Sequence, residues 1–240
     1  TGGIAEAAIC YTGDFYLHQN NPAYKYSLQY YLDMARQLED LGAHMLAIKD
    51  MAGLLKPQQA GILVTELKKV VNIPVHLHTH DTSSIQAATY LKAIEANVDV
   101  IDCSLGALSG LTAQPNFNSV VAMMQGHERE NPVDLQRLNQ YSTYWEDVRE
   151  LYYPFESGMR AGSAEVYDNE VPGGQFSNLR QQANALGKPG RALQRVEACG
   201  NVVQAHPRAA LPHLSIPGGR RYRSVRPNSI ASGIRGSVPR

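Results

Sequence analysis

Residues 74–81 read PVHLHTHD, and they carry the most regular polar pattern in the chain. After the opening proline, apolar residues alternate with His76, His78 and His80. Side chains at every second position of a β-strand point to the same face of the sheet. The segment therefore predicts a strand over Pro74–Thr79 that gathers the three imidazoles on one face if the strand extends that far.

Segments on either side of this strand predict a regular alternation of strands and helices, which is typical of parallel βα units. Lys49, His78 and Cys103 end successive strands at separations of 29 and 25 residues, a spacing that suits either a barrel or a doubly wound sheet. A closed barrel takes ~250 residues for eight units, so a barrel interpretation requires that the chain start in its middle. The other predicted elements are strands Ile4–Cys10, His44–Lys49 and Val98–Cys103, and helices Lys25–Leu41, one beginning at Pro57, and Ser83–Ala96.

Apolar residues at three- and four-residue spacing predict which face of each helix is buried. A further helix is predicted over 134–151, followed by an irregular stretch centred on Pro172-Gly173-Gly174. The predicted buried residues are Leu28, Leu32, Ala35, Leu38 and Leu41 in the first helix, Ala60, Leu63, Val64, Leu67 and Val70 in the second, Ile85, Ala88, Leu91 and Ile94 in the third, and Leu135, Leu138, Tyr141, Trp145 and Val148 in the last.

Composition favours a globular protein of a reducing compartment. The 240 residues are 43% hydrophobic, and no apolar run reaches the ~20 residues that cross a bilayer. Cys10, Cys103 and Cys199 have neither disulfide nor zinc-site spacing, and there is no secretory signal, so we expect a cytoplasmic protein. The net charge of zero hides a basic segment, with ten Lys and Arg and one acid from Gly187 onward. We interpret it as a tail rather than a nucleic-acid-binding surface.

Three side chains are the candidates for chemistry. His78 and His80 on one face, at the carboxyl end of a parallel strand, can hold a divalent ion, although hydrogen-bonded histidines at a strand end are an alternative. Lys49 ends the neighbouring strand, and by itself it is better explained as a surface lysine. Because an ammonium group cannot bind a cation, a Lys49 in the site would have to pair with substrate or be chemically changed. Asp102 is interpreted as a cap of the next turn rather than a buried acid near the site, and Cys103 as a core residue. Neither a Walker loop nor a Rossmann fingerprint occurs.

Several motifs, in order along the chain, resemble the carboxyltransferase barrel of the pyruvate carboxylase family. This resemblance implies an α/β fold, with the C-terminal half of a partial (β/α)8 TIM barrel in 1–130. It also implies a helical region in 131–187 and leaves 188–240 as a basic tail, disordered or aberrant, foreign to the family. The motifs are residues 7–14 (AAICYTGD), 49–57 (KDMAGLLKP), 78–82 (HTHDT), 109–112 (SGLT) with Gln114-Pro115, 144–146 (YWE), 165–167 (EVY), and 172–175 (PGGQ) with Asn178-Leu179.

The resemblance further implies a ligase that transfers the carboxyl group of carboxybiotin to pyruvate and so forms oxaloacetate. In the family, the lysine that matches Lys49 is carbamylated and binds a Zn or Mn ion together with the histidines that match His78 and His80. Lys49 is accordingly the catalytic candidate. Biotin belongs to a separate carrier domain, and ATP is used only by a separate biotin carboxylase domain. An oligomeric parent enzyme, with no nucleic-acid or membrane partner, is expected.

Two departures from the family pattern bear on activity. The family's first strand, which supplies an aspartate ligand, would precede Thr1. The family's threonine-proline-serine-serine-lysine segment is replaced by His206–His213, which suggests a reading-frame change or foreign sequence. We therefore expect little activity from the chain alone. The alternatives are an oxaloacetate decarboxylase α chain or transcarboxylase subunit, which share the centre, and a non-catalytic, truncated binding or assembly protein.

Overall fold

A computed structural model of the chain describes residues 2–185, and a parallel four-stranded sheet lies at its centre in the order β1-β2-β3-β4. One helix follows each of the first three strands. The strands are β1 (Glu6–Cys10), β2 (Met45–Asp50), β3 (Val75–Thr79) and β4 (Val100–Ile101), and the helices are α1 (Leu28–Asp40), α2 (Pro57–Val70), α3 (Gln86–Glu95), α4 (Phe117–Met123), α5 (Leu135–Tyr152), α6 (Val166–Asn169) and α7 (Gly173–Ala185).

The strand order decides between the two architectures that the spacing left open. A doubly wound sheet reverses its strand order at a switch point, whereas these strands follow one another in sequence. Right-handed crossovers without reversal place all the connecting helices on one face of the sheet. Residues that alternate along β3 match this arrangement, because Leu77 is buried whereas His78 is only partly covered. The fold is α/β, and the sheet forms part of a barrel wall.

Local sequence explains where the first helices begin. The hydroxyl of Ser27 accepts a hydrogen bond from the backbone N–H of Tyr30 and caps α1. Pro57 occupies the first turn of α2, where its missing N–H costs nothing. The side chain of Asp134 accepts from two backbone N–H groups and caps α5. These starts lie within a few residues of the predicted ones.

The core between the sheet and its helices confirms the predicted face of α2 and most of the predicted face of α3. Leu63 and Leu67 of α2 are fully buried. In α3 the predicted Ala88 is exposed, and Gln86 and Thr89 are buried instead. Both polar side chains donate hydrogen bonds, of 2.7 and 3.0 Å, to backbone carbonyls of the loop after β2, while Gln86 Oε1 has no partner among the described residues. Leu41, also predicted to be buried, is 83% exposed at the end of α1.

The helices after the sheet depart further from the predictions. No residue of α5 is buried, and the predicted inward residue Tyr141 is 55% exposed. α5 contacts the 3₁₀ turn Gly106–Leu108 through polar groups, since Ser142 and Arg149 bind the backbone of Ala107. The stretch predicted to be irregular contains α7, which begins at Gly173.

The predicted tail, 188–240, lies outside the described residues, and the predicted domain boundaries at residues 130 and 187 stay predictions. Within residues 2–185, no helix combines the length and the apolarity needed to span a bilayer.

Candidate metal centre

The three predicted site residues meet at the carboxyl ends of β2 and β3, on the face of the sheet without helices. Lys49 pairs with His78 in the parallel register, and on its other side with Cys10 of β1. His80 follows β3 by one residue, and its imidazole packs edge-on against that of His78. The register of two neighbouring strands therefore brings together the residues that sequence spacing had singled out.

The two imidazoles face each other through their Nε2 atoms, which are 3.2 Å apart. Each ring has its other nitrogen next to an acceptor: Nδ1 of His78 lies 2.7 Å from a carboxylate oxygen of Asp102, and Nδ1 of His80 lies 2.6 Å from the carbonyl oxygen of Thr112. Acceptors at these positions favour a proton on each Nδ1, which leaves two Nε2 lone pairs aimed at one another. Such an arrangement is stable only when a cation or a proton lies between them.

Burial lowers the pKa of the His80 imidazole below its ordinary value, and the nearby His78 and Lys49 lower it further, while the hydrogen bond to the Thr112 carbonyl and the charge of Asp50 oppose the shift. A neutral imidazole is the form that binds a metal ion. The side chain of Lys49 is exposed at the end of its strand, so the amine is accessible to solutes such as CO₂.

The third predicted imidazole, His76, lies on the same face but has a different partner. Its Nδ1 is 2.5 Å from a carboxylate oxygen of Glu6 in β1. Its Nε2 lies 3.1 Å from Asp102 Oδ1 without forming a hydrogen bond. Among residues 2–185, no three His, Cys, Asp or Glu side chains form a metal cluster.

A buried carboxylate organises the loop that follows β2. Asp50 accepts hydrogen bonds from the backbone N–H groups of Leu54 and Leu55 and from the hydroxyl of Thr79, at 2.7–2.9 Å. Burial raises the pKa of Asp50, and the three hydrogen bonds oppose that shift. The loop passes so close to β3 that a Cβ atom on Gly53 would lie 2.2 Å from the backbone oxygen of His80. Asp50 and Gly53 thereby fix the backbone that carries His80.

The structure also assigns roles that the sequence did not reveal. Asp102 was interpreted as a turn cap, and that interpretation is wrong, because its carboxylate binds His78. Thr112 lies in a loop with no predicted role, yet its carbonyl orients His80, and the loop is tied to the residue after His80 by a 2.8 Å bond from Asp81 N to Ala113 O. Cys103 packs against the core as predicted, and burial raises the pKa of its thiol to about 12.

Comparisons with known proteins agree with this geometry. The family model described as HMGL-like matches residues 14–144. Pyruvate carboxylase of Bacillus subtilis (strain 168) is 52% identical over 187 residues, and mitochondrial pyruvate carboxylase of Homo sapiens is 44% identical over 189 residues. Each alignment covers 78% of this chain and 16% of the relative, so the chain spans about one sixth of the length of these proteins.

The similar solved structures are also carboxyl transferase domains of pyruvate carboxylase. The carboxyl transferase domain of Rhizobium etli pyruvate carboxylase with pyruvate has a TM-score of 0.79 and 47% identity, over 84% of this chain and 34% of that one. The same domain with pyruvate and biocytin also has a TM-score of 0.79, at 48% identity, over 84% of this chain and 33% of that one. Family model, identity and superposition coincide on the part of the chain that holds the imidazole pair. The chain belongs to the HMGL-like family, and within it to the carboxyltransferase domains of pyruvate carboxylases.

Proposed function

We propose that this chain carries part of a carboxyltransferase centre that moves the carboxyl group of carboxybiotin to pyruvate, giving oxaloacetate and biotin. The observation that supports it most directly is the pair of imidazoles with Nε2 atoms 3.2 Å apart, each with its tautomer set by an acceptor on the far nitrogen. The relatives named above are pyruvate carboxylases, and one similar structure was solved with pyruvate and biocytin. The names of these similar proteins favour pyruvate as the carboxyl acceptor over the substrates of the related decarboxylase and transcarboxylase.

The donor set fits a divalent ion, provided that Lys49 is carbamylated. Its free amine would be an ammonium group and would repel the ion, whereas a carbamate on the same nitrogen ends in a carboxylate. Lys49 lies in register with His78 on the neighbouring strand, which supports a carbamate on its nitrogen as a third donor beside the two Nε2 atoms. Zn and Mn both accept imidazole and carboxylate ligands. When bound, such an ion supplies a Lewis acid that polarises the ketone of pyruvate and favours its enol.

The protein groups around the ion have separate tasks in this proposal. His78 and His80 present neutral Nε2 donors, while Asp102 and Thr112 hold the rings in the orientation that points those donors to one place. Asp50 and Gly53 fix the loop and the backbone on which His80 sits. Transfer of the carboxyl group requires that a proton leave the methyl group of pyruvate and reach the biotin nitrogen.

Other components follow from the same proposal. Carboxybiotin reaches the centre on a carrier domain, an ATP-using biotin carboxylase domain recharges it, and the parent enzyme is an oligomer. We place the protein in the cytoplasm, a location consistent with the free thiols of Cys10 and Cys103. Relatives from mouse and human are named mitochondrial, so cell fractionation with an antibody to the chain is the test of the compartment.

Metal analysis of the full chain tests the proposal. The purified protein is incubated with Zn or Mn and bicarbonate, dialysed, and analysed for bound metal by mass spectrometry and for carbamylated Lys49 by ¹³C NMR with labelled bicarbonate. We expect one ion per chain in the wild type and a loss of binding in Lys49→Ala and His80→Ala. Lys69→Ala, at an exposed surface ion pair, is the matched control.

Two outcomes contradict the proposal: a wild-type chain that retains no metal, or a Lys49→Ala variant that binds it as tightly as the control. Carboxyl transfer is then measured as oxaloacetate formation from pyruvate and carboxybiotin by a complete enzyme into which these residues are introduced. Because the chain alone is expected to have little activity, metal binding is the primary measurement.

A further inference from the structure

The hydroxyl of Tyr90 joins the ends of β3 and β4 at the level of the imidazole pair. Tyr90 is fully buried on α3, and its oxygen accepts a 3.3 Å hydrogen bond from the backbone N–H of Thr79. The same hydroxyl donates a 2.6 Å bond to the backbone carbonyl of Asp102. Burial raises the pKa of Tyr90 above its ordinary value, so the hydroxyl keeps the proton that it donates. One side chain thus connects the end of β3 to the residue whose carboxylate binds His78.

This hydroxyl takes the place of a ladder hydrogen bond. At the end of the ladder, the N–H of Asp102 donates a 3.3 Å bond to the carbonyl of Leu77. Bonds in a parallel ladder are evenly spaced, and every second residue of a strand uses its N–H and its C=O toward the same neighbour. The next bond would therefore join the N–H of Thr79 directly to the carbonyl of Asp102. Tyr90 binds both of these groups instead.

The inserted hydroxyl decides where the Asp102 backbone lies relative to β3. A direct ladder bond would hold the two backbone atoms roughly 2.9 Å apart. Here β3 continues to Thr79 while β4 already ends at Ile101, so the strands part at this level. The Asp102 carboxylate lies 2.7 Å from Nδ1 of His78 from this backbone position. An aspartate side chain has a single methylene group, so a shift of its backbone moves the carboxylate by a similar distance.

Asp102 depends on this backbone contact because its side chain is not held by burial. The side chain is 42% exposed, and water competes for its oxygens. The helix that carries Tyr90 is itself fixed, since Gln86 and Thr89, one turn earlier on the same face, donate hydrogen bonds to the loop after β2. α3 therefore presents the Tyr90 hydroxyl to the strand ends from a fixed position.

We propose that Tyr90 is a positioning residue of the metal centre: its hydroxyl, inserted between β3 and β4, places the Asp102 carboxylate against Nδ1 of His78 and so keeps the His78 Nε2 donor aimed at the ion position. The part of this inference that concerns metal affinity rests on the proposed function. The part that concerns the Asp102–His78 contact does not, because it is a property of the metal-free chain. Tyr90 acts on the centre through the backbone of Asp102.

The test combines two measurements on the full chain. Crystal structures of the metal-free wild type and of Tyr90→Phe give the Asp102–His78 distance, and competition of ZnCl₂ with a chromophoric chelator gives the zinc affinity. Tyr31→Phe is the matched control. Tyr31 is another fully buried tyrosine, and its hydroxyl accepts a 3.1 Å bond from the backbone N–H of Thr12, after β1. Both variants keep the aromatic ring, and urea denaturation checks that each is folded.

In the metal-free Tyr90→Phe structure, we expect Thr79 and Asp102 to close toward a direct ladder bond and the Asp102–His78 distance to exceed the ~3.2 Å limit of a hydrogen bond. Loss of an orienting partner typically weakens metal binding ~10–100-fold, and we expect this for Asp102→Ala and a smaller loss, about threefold to tenfold, for Tyr90→Phe. Tyr31→Phe should lose stability but keep the wild-type zinc affinity. In the Asp102→Ala background, Tyr90→Phe should add no further loss of affinity.

Three results overturn the inference: an unchanged Asp102–His78 contact in Tyr90→Phe, an equal loss of zinc affinity in Tyr31→Phe, or additive losses in the double variant. A wild-type zinc affinity in Tyr90→Phe contradicts it as well. If the wild type binds no zinc, the proposed function fails, while the crystal structures still decide whether Tyr90 positions Asp102.

Discussion

Gly53→Ala is the substitution with the sharpest expected effect on both stability and the centre. Gly53 has φ +75°, a left-handed backbone conformation that costs a residue with a side chain roughly 1–2 kcal/mol. Its new Cβ atom would lie 2.2 Å from the backbone oxygen of His80, whereas ordinary contact begins at 3.4 Å, so the two atoms must separate by about 1.2 Å. A backbone oxygen cannot rotate away as a side chain does. The His80 backbone itself has to move.

Gly42→Ala is the control that measures the cost of the left-handed backbone conformation without a steric clash. Gly42 has φ +93°, and a Cβ atom there has nothing within 4 Å. We expect this control to lose roughly 1–2 kcal/mol from backbone strain alone. Gly53→Ala should lose roughly 2–5 kcal/mol, because overpacking adds ~1–3 kcal/mol to the strain. For a protein of this size, each kcal/mol corresponds to a fall of about 2–4 °C in Tm.

Urea denaturation followed by circular dichroism gives the free energies of unfolding, and chelator competition gives the zinc affinities of both variants. We expect zinc affinity to fall tenfold or more in Gly53→Ala, about the loss seen when a ligand is misoriented, and to stay at the wild-type value in Gly42→Ala. Equal destabilisation by the two substitutions, or a wild-type zinc affinity in Gly53→Ala, would refute the argument that Gly53 sets the position of His80.

Three further predictions concern single contacts. Tyr90→Phe should lower the free energy of unfolding by ~1–3 kcal/mol, because it leaves the part-buried carbonyl of Asp102 without its 2.6 Å donor, and urea denaturation measures the loss. Burial raises the pKa of Asp99, but hydrogen bonds from Lys68 and a backbone N–H outweigh it, so the pKa falls below 3.8. The carboxylate therefore stabilises the fold above that pH and loses this effect as the pH falls, so that Asp99→Asn should flatten the acid side of a stability–pH curve. Removal of zinc by a chelator should lower the Tm of the loaded wild type and leave that of His80→Ala unchanged, as differential scanning fluorimetry can show.

Much of the fold could be predicted from the sequence because the relevant signals are local. The alternation in PVHLHT identified β3 to within one residue at its start, and Pro57 marked the first turn of α2. The prediction failed where apolar spacing was taken to mean burial. Ala88 and Leu41 fit a helical apolar face but lie exposed, whereas the polar Gln86 is buried because Gly53 offers its carbonyl as a partner. The spacing of apolar residues depends on one helix alone, whereas burial depends on which other elements pack against that helix.

The sequence by itself determined the strand–helix alternation and the placement of Lys49, His78 and His80 at successive strand ends, since strand period and helix capping act within a few residues of the chain. Only the tertiary structure decided how those side chains are held. The partners that orient the two rings lie 24 and 32 residues away in sequence, and Glu6 is 70 residues from His76. Contacts at such separations exist only after the strands align in register, because no local rule of chain geometry relates residues so far apart.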